Sequence, residues 1–240
     1  MTIAYDTLAP GYARHREGYG YVIAMLERLF ERSPGESVLE VGCGTGVYSA
    51  AMAESGASTV YGMDLSRQML RQAPAHKRIV YLQGAATNLP FADQALGMIF
   101  SINVVHHIQN IGDYFREAFR ILKPGGMFCT ATDSEAIIKR RVPLSRYWPA
   151  TVPVERERYH GLEKLRAEMA ALGFAGIDGC EEGMTFTLPD AAAYRDKAFS
   201  CLQLIPEDAF EEGLRSMESD LRSGPLQCAS ELAFLWAQRP

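Results

Sequence analysis

Residues 38–46 read Val-Leu-Glu-Val-Gly-Cys-Gly-Thr-Gly. An apolar run ends in an acid and passes into a loop with glycine at every second position. Glycine has no Cβ and tolerates positive φ, so such a loop lets backbone lie directly against a ligand. The following Val47-Tyr48-Ser49-Ala50-Ala51-Met52-Ala53 has helical character, which points the first amides of a helix at the same place. Strand, glycine loop and helix in this order make a nucleotide-binding arrangement.

Around that core, apolar β-rich runs alternate with helical patterns. Strands are expected at Ser37–Cys43, Thr59–Asp64, Ile79–Ala85, Leu96–Asn103 and Met127–Thr132. Helices are expected at Val47–Ser55, Ser66–Ala73 and Asp113–Leu122. Alternating βα units imply a mostly parallel sheet with helices on both faces. Lys123-Pro124-Gly125-Gly126 stops the last of these helices and turns into the fifth strand. The alternation ends after Asp133. Residues 134–160 carry three prolines, Tyr147, Trp148, Tyr159 and many arginines. This stretch reads as too polar and interrupted for a core element, and is either a lid over the site or a surface excursion. A helix over Gly161–Leu172, a sixth strand over Ile177–Glu182, helices over Ala191–Phe199 and Pro206–Arg222, and a last strand over Glu231–Arg239 complete the pattern.

The 240 residues suffice for one domain, 1–240, with residues 1–33 as an N-terminal helical cap and 134–160 and 190–224 as insertions. A net charge of −5 gives no general attraction to nucleic acid or anionic membranes. The run Lys139-Arg140-Arg141, with Arg146 beyond it, reads as a solvated helix end. Five cysteines without repeated spacing argue against a disulfide framework or a zinc site, and for a reducing, cytoplasmic location. The first residues lack a signal-peptide pattern. No apolar run reaches the ~20 residues that cross a bilayer.

A dinucleotide fold is the first competitor. Its fingerprint needs G-x-G-x-x-G, and here the spacing is G-x-G-x-G with Ser49 three residues after Gly46. No Lys-Ser or Lys-Thr follows, so the loop is not a P-loop. The acid ahead of the loop, Glu40, and a second acid ending the next strand, Asp64 in Tyr-Gly-Met-Asp, sharpen the reading. A carboxylate at that second position suits the paired hydroxyls of a ribose.

Five motifs then occur in order: Val-Leu-Glu-Val-Gly-Cys-Gly-Thr-Gly, Gly-Met-Asp-Leu-Ser-x-x-Met-Leu, Asn-Leu-Pro-Phe, Phe-Ser-x-Asn-Val-Val-His-His-Ile and Leu-Lys-Pro-Gly-Gly. Together they resemble the class I S-adenosylmethionine-dependent methyltransferases, in the small-molecule branch that includes the ubiquinone, menaquinone and trans-aconitate methyltransferases. The resemblance covers roughly residues 5–133. It implies a Rossmann-like, doubly wound α/β fold with seven strands in the order 3-2-1-4-5-7-6, strand 7 antiparallel, and helical lid insertions.

The resemblance also assigns roles. Gly42, Cys43, Gly44 and Gly46 resemble the loop under the methionine part of the cofactor. Glu40 resembles the acid that braces this loop and reaches the cofactor's amino group. Asp64 resembles the ribose ligand, and Leu65 and Met69 resemble the adenine walls. Ala85 stands where many relatives carry an Asp that reads the adenine amine, so Ala85 and Ala86 are expected beside the adenine, which backbone groups or another residue must read. Gly97 replaces an Asp that is often found ahead of the fourth strand. Asn103 falls in the fourth-strand motif beside the cofactor. Tyr12 and Arg16 resemble residues of an N-terminal segment that folds over the cofactor.

Transfer of an activated methyl group is an in-line displacement, so alignment and exclusion of water matter most. His106 and His107 follow the fourth strand, where the pocket of such a sheet opens, as base or acceptor contact. Arg140, Arg141, Arg146, Tyr147 and Trp148 suit an acidic or aromatic acceptor. The expected partner is a small-molecule methyl acceptor for a monomer or homodimer, with no metal, no nucleic acid and no membrane insertion. Two other classes stay open: a nicotinamide oxidoreductase, and a protein that binds S-adenosylmethionine without catalysis.

Overall fold

The computed structural model of the protein describes residues 18–240. Helix α1 (Gly20–Phe30) precedes a regular alternation of β1 (Val38–Val41), α2 (Val47–Glu54), β2 (Val60–Asp64), α3 (Arg67–Gln72) and β3 (Ile79–Gln83). Strand β4 (Leu96–Ile102), helix α4 (Ile111–Ile121) and strand β5 (Leu122–Thr132) follow. The seven strands stand in the order β3-β2-β1-β4-β5-β7-β6. The first five pair in parallel, and β7 (Leu226–Gln238) runs antiparallel to both β5 and β6 (Ala175–Leu188). This is the strand order that the motifs imply.

Side-chain alternation explains the layering. Val38, Met98, Phe100, Met127 and Cys129 face α1 and α2, whose Val22, Leu26, Met52 and Ala53 cover them. Leu39, Val41, Ile99 and Phe128 face the other way, against Tyr114, Phe115 and Ala118 of α4 and Leu165 and Met169 of α8 (Leu162–Ala171). Glu40 shares the face of Val38, and so points at α2 from within the core. Within the 1–33 segment, α1 buries Val22, Met25, Leu26, Leu29 and Phe30 on the sheet. Among the described residues of the segment, Gly18, Tyr19 and Gly20 line the cleft described below.

Residues 134–160 depart most from expectation. They fold as α5 (Glu135–Arg140), α6 (Leu144–Tyr147) and α7 (Thr151–Arg158). Helices α6 and α7, with α9 (Ala192–Arg195) and α10 (Glu207–Leu221), build a third apolar cluster around the fully buried Trp148. The indole stacks on Tyr194 with centroids 5.4 Å apart, and its Nε1 donates to the Phe210 carbonyl at 2.9 Å. The stretch is therefore neither too polar for a core nor a surface excursion. Its apolar residues are few but large, and they are spread over three short helices, so no period betrays them. The helix expected over Ala191–Phe199 is one turn, interrupted where Lys197 takes a φ of 48°.

The strands also outrun their patterns. Strand β5 starts at Leu122, paired with Leu96, with a register shift before Met127 meets Met98. Strands β6 and β7 pair from Ala175↔Gln238 out to Leu188↔Leu226, whereas β5 pairs with β7 only up to Ala233. Beyond Ala233 the two form a ribbon without a third strand. That ribbon is half exposed and lacks clean alternation, and backbone pairing sustains it.

Candidate functional site

The carboxyl ends of β1 to β4 and the turn after β5 open into one cleft of about 980 Å³. Ligands bind at this edge of open α/β sheets because loops there diverge to opposite faces. Gly42, Gly44, Asp64, Leu65, Met69, Ala85, Ala86, Asn103, His106 and His107 all line the cleft. Glu40, Cys43 and Gly46 are not among the lining residues. Tyr12 and Arg16 lie outside the described residues.

The loop holds its shape for steric reasons. Gly42 has φ 71°, and an added Cβ would strike Val104. Gly46 has φ 76° and opens α2 in the left-handed region, where an added Cβ would strike the Tyr81 hydroxyl. Only glycine accepts both the dihedral and the crowding.

Two acids hold the loop from beneath and beside it. Glu40 is 2% exposed, and Ser49 of α2 donates to its Oε2 at 2.5 Å. Burial pushes its carboxyl up to about 8, against the pull of the Ser49 hydrogen bonds. Asp64 Oδ2 accepts from the Gly44 amide at 2.7 Å, and Oδ1 accepts from the Ser66 amide at 2.8 Å. A carboxylate oxygen accepts about two hydrogen bonds, so each amide uses one position. Gly97, which replaces an acid common in relatives, leaves no room for a Cβ because Glu36 fills the space and pairs with Lys123 at 2.5 Å.

Asn103 ends β4 with φ 57°, and its buried Oδ1 has no partner. A strained residue presenting an orphaned acceptor to a cleft marks a place where a donor on a ligand belongs. His106 lies between rings, 4.0 Å from Tyr159 and 3.9 Å from His107 by centroid. Burial, then His107, Arg158 and Arg141, hold His106 well below the usual histidine range. Burial and Arg158 hold His107 down to about 4. Both rings are neutral at physiological pH.

The far wall joins Arg141, which the sequence offers both as part of a solvated helix end and as an acceptor contact, to Asp133 and Glu155, which sequence reasoning missed. Arg141 is not solvated: its Nη1 donates to Asp133 at 2.8 Å and to Glu155 at 3.1 Å, and its side chain is 14% exposed. Arg158 Nη1 donates to the second oxygen of Glu155 at 2.5 Å. Asp133, Arg141, Glu155 and Tyr159 line the cleft, with Met184 and Phe186 of the β6–β7 ribbon opposite. The other residues read as acceptor contacts are committed elsewhere. Arg140 pairs with Glu181 and Glu231, Arg146 pairs with Asp220, and Tyr147 and Trp148 are buried in the third cluster. The i,i+3 spacing of Glu155 and Arg158 on a helix was the one available signal for the cluster.

Residues 39–130 match the methyltransferase domain family. The chain is 30% identical to 24-methylenesterol C-methyltransferase 2 of Oryza sativa subsp. japonica over 157 residues, covering 62% of this chain and 41% of that protein. It is 24% identical to 2-methyl-6-phytyl-1,4-hydroquinone methyltransferase of Synechocystis sp. over 239 residues, covering 95% of this chain and 73% of that protein. The chain spans about half the length of most curated relatives it matches. Among solved structures, a protein described as a methyltransferase of an antibiotic biosynthesis pathway from Anabaena variabilis superposes with a TM-score of 0.71 at 23% identity. That likeness covers 91% of this chain and 96% of the other, and it shows the fold.

Proposed function

Because the chain carries a class I S-adenosylmethionine-dependent methyltransferase domain, we propose that it transfers a methyl group from S-adenosylmethionine to a small-molecule acceptor. The observation that carries this reading is the meeting of the glycine loop, Asp64 and the orphaned Asn103 Oδ1 in one cleft. These residues fit the cofactor. Gly42 and Gly44 offer backbone to its amino-acid part, Asn103 accepts from its ammonium, and Asp64 accepts from its ribose. Leu65 and Met69 flank the adenine, which the backbone at Ala85 and Ala86 reads in place of an acid.

When bound, the cofactor supplies a methyl already activated on a sulfonium. The chain's own task is then to align the acceptor and exclude water. The insertion helices and the β6–β7 ribbon do both, since they wall the cleft with Leu144, Phe186, Leu188, Tyr194 and Phe199. Neither histidine is a strong base here, because a proton acceptor works best with a pKa near the working pH. His106 and His107 therefore act as neutral walls to the acceptor. The acceptor is one that needs little help in losing a proton.

A binding protein without catalysis would need no second half to its cleft. The five free cysteines support a reducing compartment such as the cytoplasm. No helix among the described residues is long and apolar enough to cross a membrane. Thermal unfolding in the presence of S-adenosylmethionine, S-adenosylhomocysteine and NADH tests the proposal. Ligand at a hundredfold excess over its Kd adds about 2.7 kcal/mol, so both sulfur ligands should raise the Tm and NADH should not. A shift with NADH alone would support the oxidoreductase instead.

A further inference from the structure

Resting on the methyl-transfer reading, we propose that Arg141, backed by Arg158, anchors a carboxylate on the methyl acceptor, whose apolar body lies against the insertion helices and the β6–β7 ribbon. The starting observation is a set of buried donors with nothing to donate to. Arg141 Nε and Nη2, and Arg158 Nη2, have no hydrogen-bond partner. Buried guanidinium donors are rarely left so, because each unmet donor costs about 1–3 kcal/mol and more when charged.

The pattern of what is met and unmet is directional. Asp133 and Glu155 both take Arg141 through Nη1, and Glu155 takes Arg158 through Nη1. The edge of Arg141 left over is the Nε–Nη2 edge. Those two N–H groups are parallel and match the two oxygens of a carboxylate. The intramolecular acids thus hold the guanidinium by one corner and leave its bidentate edge unmet. Arg141 lines the cleft, and His106 beside it carries a fourth orphan, Nδ1.

Charge selects among anions. Two guanidinium groups already face two carboxylates, so the cluster is balanced. A single negative charge is tolerable there, and a second one is not. This favours a carboxylate over a doubly charged phosphate or phosphonate. Leu144, Met184, Phe186, Leu188 and Phe199 also line the cleft, and the acceptor's hydrophobic body would lie against them.

Octanoate, octanamide and heptylphosphonate are probes that share one heptyl tail and differ only at the head. Calorimetric titration of each into wild-type protein saturated with S-adenosylhomocysteine, at a pH above the second pKa of the phosphonate, should show octanoate binding at least about tenfold tighter than octanamide, with heptylphosphonate no better than the amide. Arg141→Gln should erase the preference for octanoate. The wild-type comparison stands whether or not that variant folds. Equal binding of octanoate and octanamide, no binding of octanoate, a preference for the phosphonate, or an octanoate preference that survives in Arg141→Gln each overturn the proposal. Titration of S-adenosylhomocysteine into ligand-free wild-type protein separates the two readings. If it fails to bind wild type, the methyl-transfer reading falls, and the head-group preference is still read on the protein alone.

Discussion

The Gly44 amide donates to Asp64 Oδ2 at 2.7 Å, so the carboxylate assigned to the ribose is also a strut of the glycine loop. Ligand recognition and loop shape are therefore coupled through one side chain. Asp64→Ala should lower affinity for S-adenosylhomocysteine at least about tenfold, since hydrogen bonds to a charged acceptor contribute about 1.5–3 kcal/mol each. It should also destabilise the ligand-free protein, because the Gly44 and Ser66 amides lose their acceptor. Calorimetry and denaturant unfolding measure the two effects. Unchanged affinity would sink the ribose assignment, whatever happened to stability.

Gly42 tests the loop from the steric side. Gly42→Ala puts a methyl against Val104 at a left-handed φ. A left-handed non-glycine residue costs roughly 1–2 kcal/mol before any clash. Val104→Ala in the same chain should restore part of the loss, since removing the Val104 methyls clears the closest contacts. A double-mutant cycle in urea should thus give a coupling of more than about 0.5 kcal/mol. Strict additivity would mean that the loop relaxes away from Val104.

Glu40 gives the protein a pH signature. Its carboxyl rises in the fold to about 8 from an ordinary value of 4.5. The folded state therefore holds a proton that the unfolded state releases. Its contribution to stability is present below pH 4.5 and is lost as pH rises through about 8, with a slope of at most about 1.4 kcal/mol per pH unit. His106 and His107, depressed in the fold, act with the opposite sign, and their penalty disappears as pH rises toward 6.5. Comparison with Glu40→Gln cancels the histidines. The stability of wild type relative to the variant should fall steadily across this window. A flat difference would show Glu40 ionised throughout.

The two histidines are predicted to stay neutral well into acid. Histidine NMR on the ligand-free protein should show the His107 ring titrating near 4 and His106 uncharged below its ordinary 6.5. A ring of this pair titrating near 6.5 would return it to the role of general base.

The sheet was legible because two periods coincide in the sequence. Val38, Leu39 and Val41 make β1 apolar on both faces around the buried Glu40, and Gly42 onward ends it at the ligand edge. Asp64, Asn103 and both histidines were legible for the same reason, since Asp64 ends β2 and the others closely follow β4, strands whose pattern is plain. Arg141 was not. Its partners stand 8 and 14 residues away and meet it only through the packing of three short helices. Trp148 was read as an acceptor contact because an aromatic residue amid prolines and arginines lacks a period, and only α10 reveals the face it fills. The outer ribbon of β6 and β7 is held by backbone hydrogen bonds, which leave no mark on side-chain pattern.

The central claim is that one cleft edge, from Gly42 to Asn103, holds the cofactor, and a crystal structure with S-adenosylhomocysteine tests it most directly. The expected density places the ribose hydroxyls on Asp64, the amino-acid part against Gly42 and Gly44, the ammonium on Asn103 Oδ1, and the sulfur turned toward the half of the cleft walled by Arg141 and Tyr159. Ligand density away from the glycine loop, or a ribose with no contact to Asp64, would contradict the account.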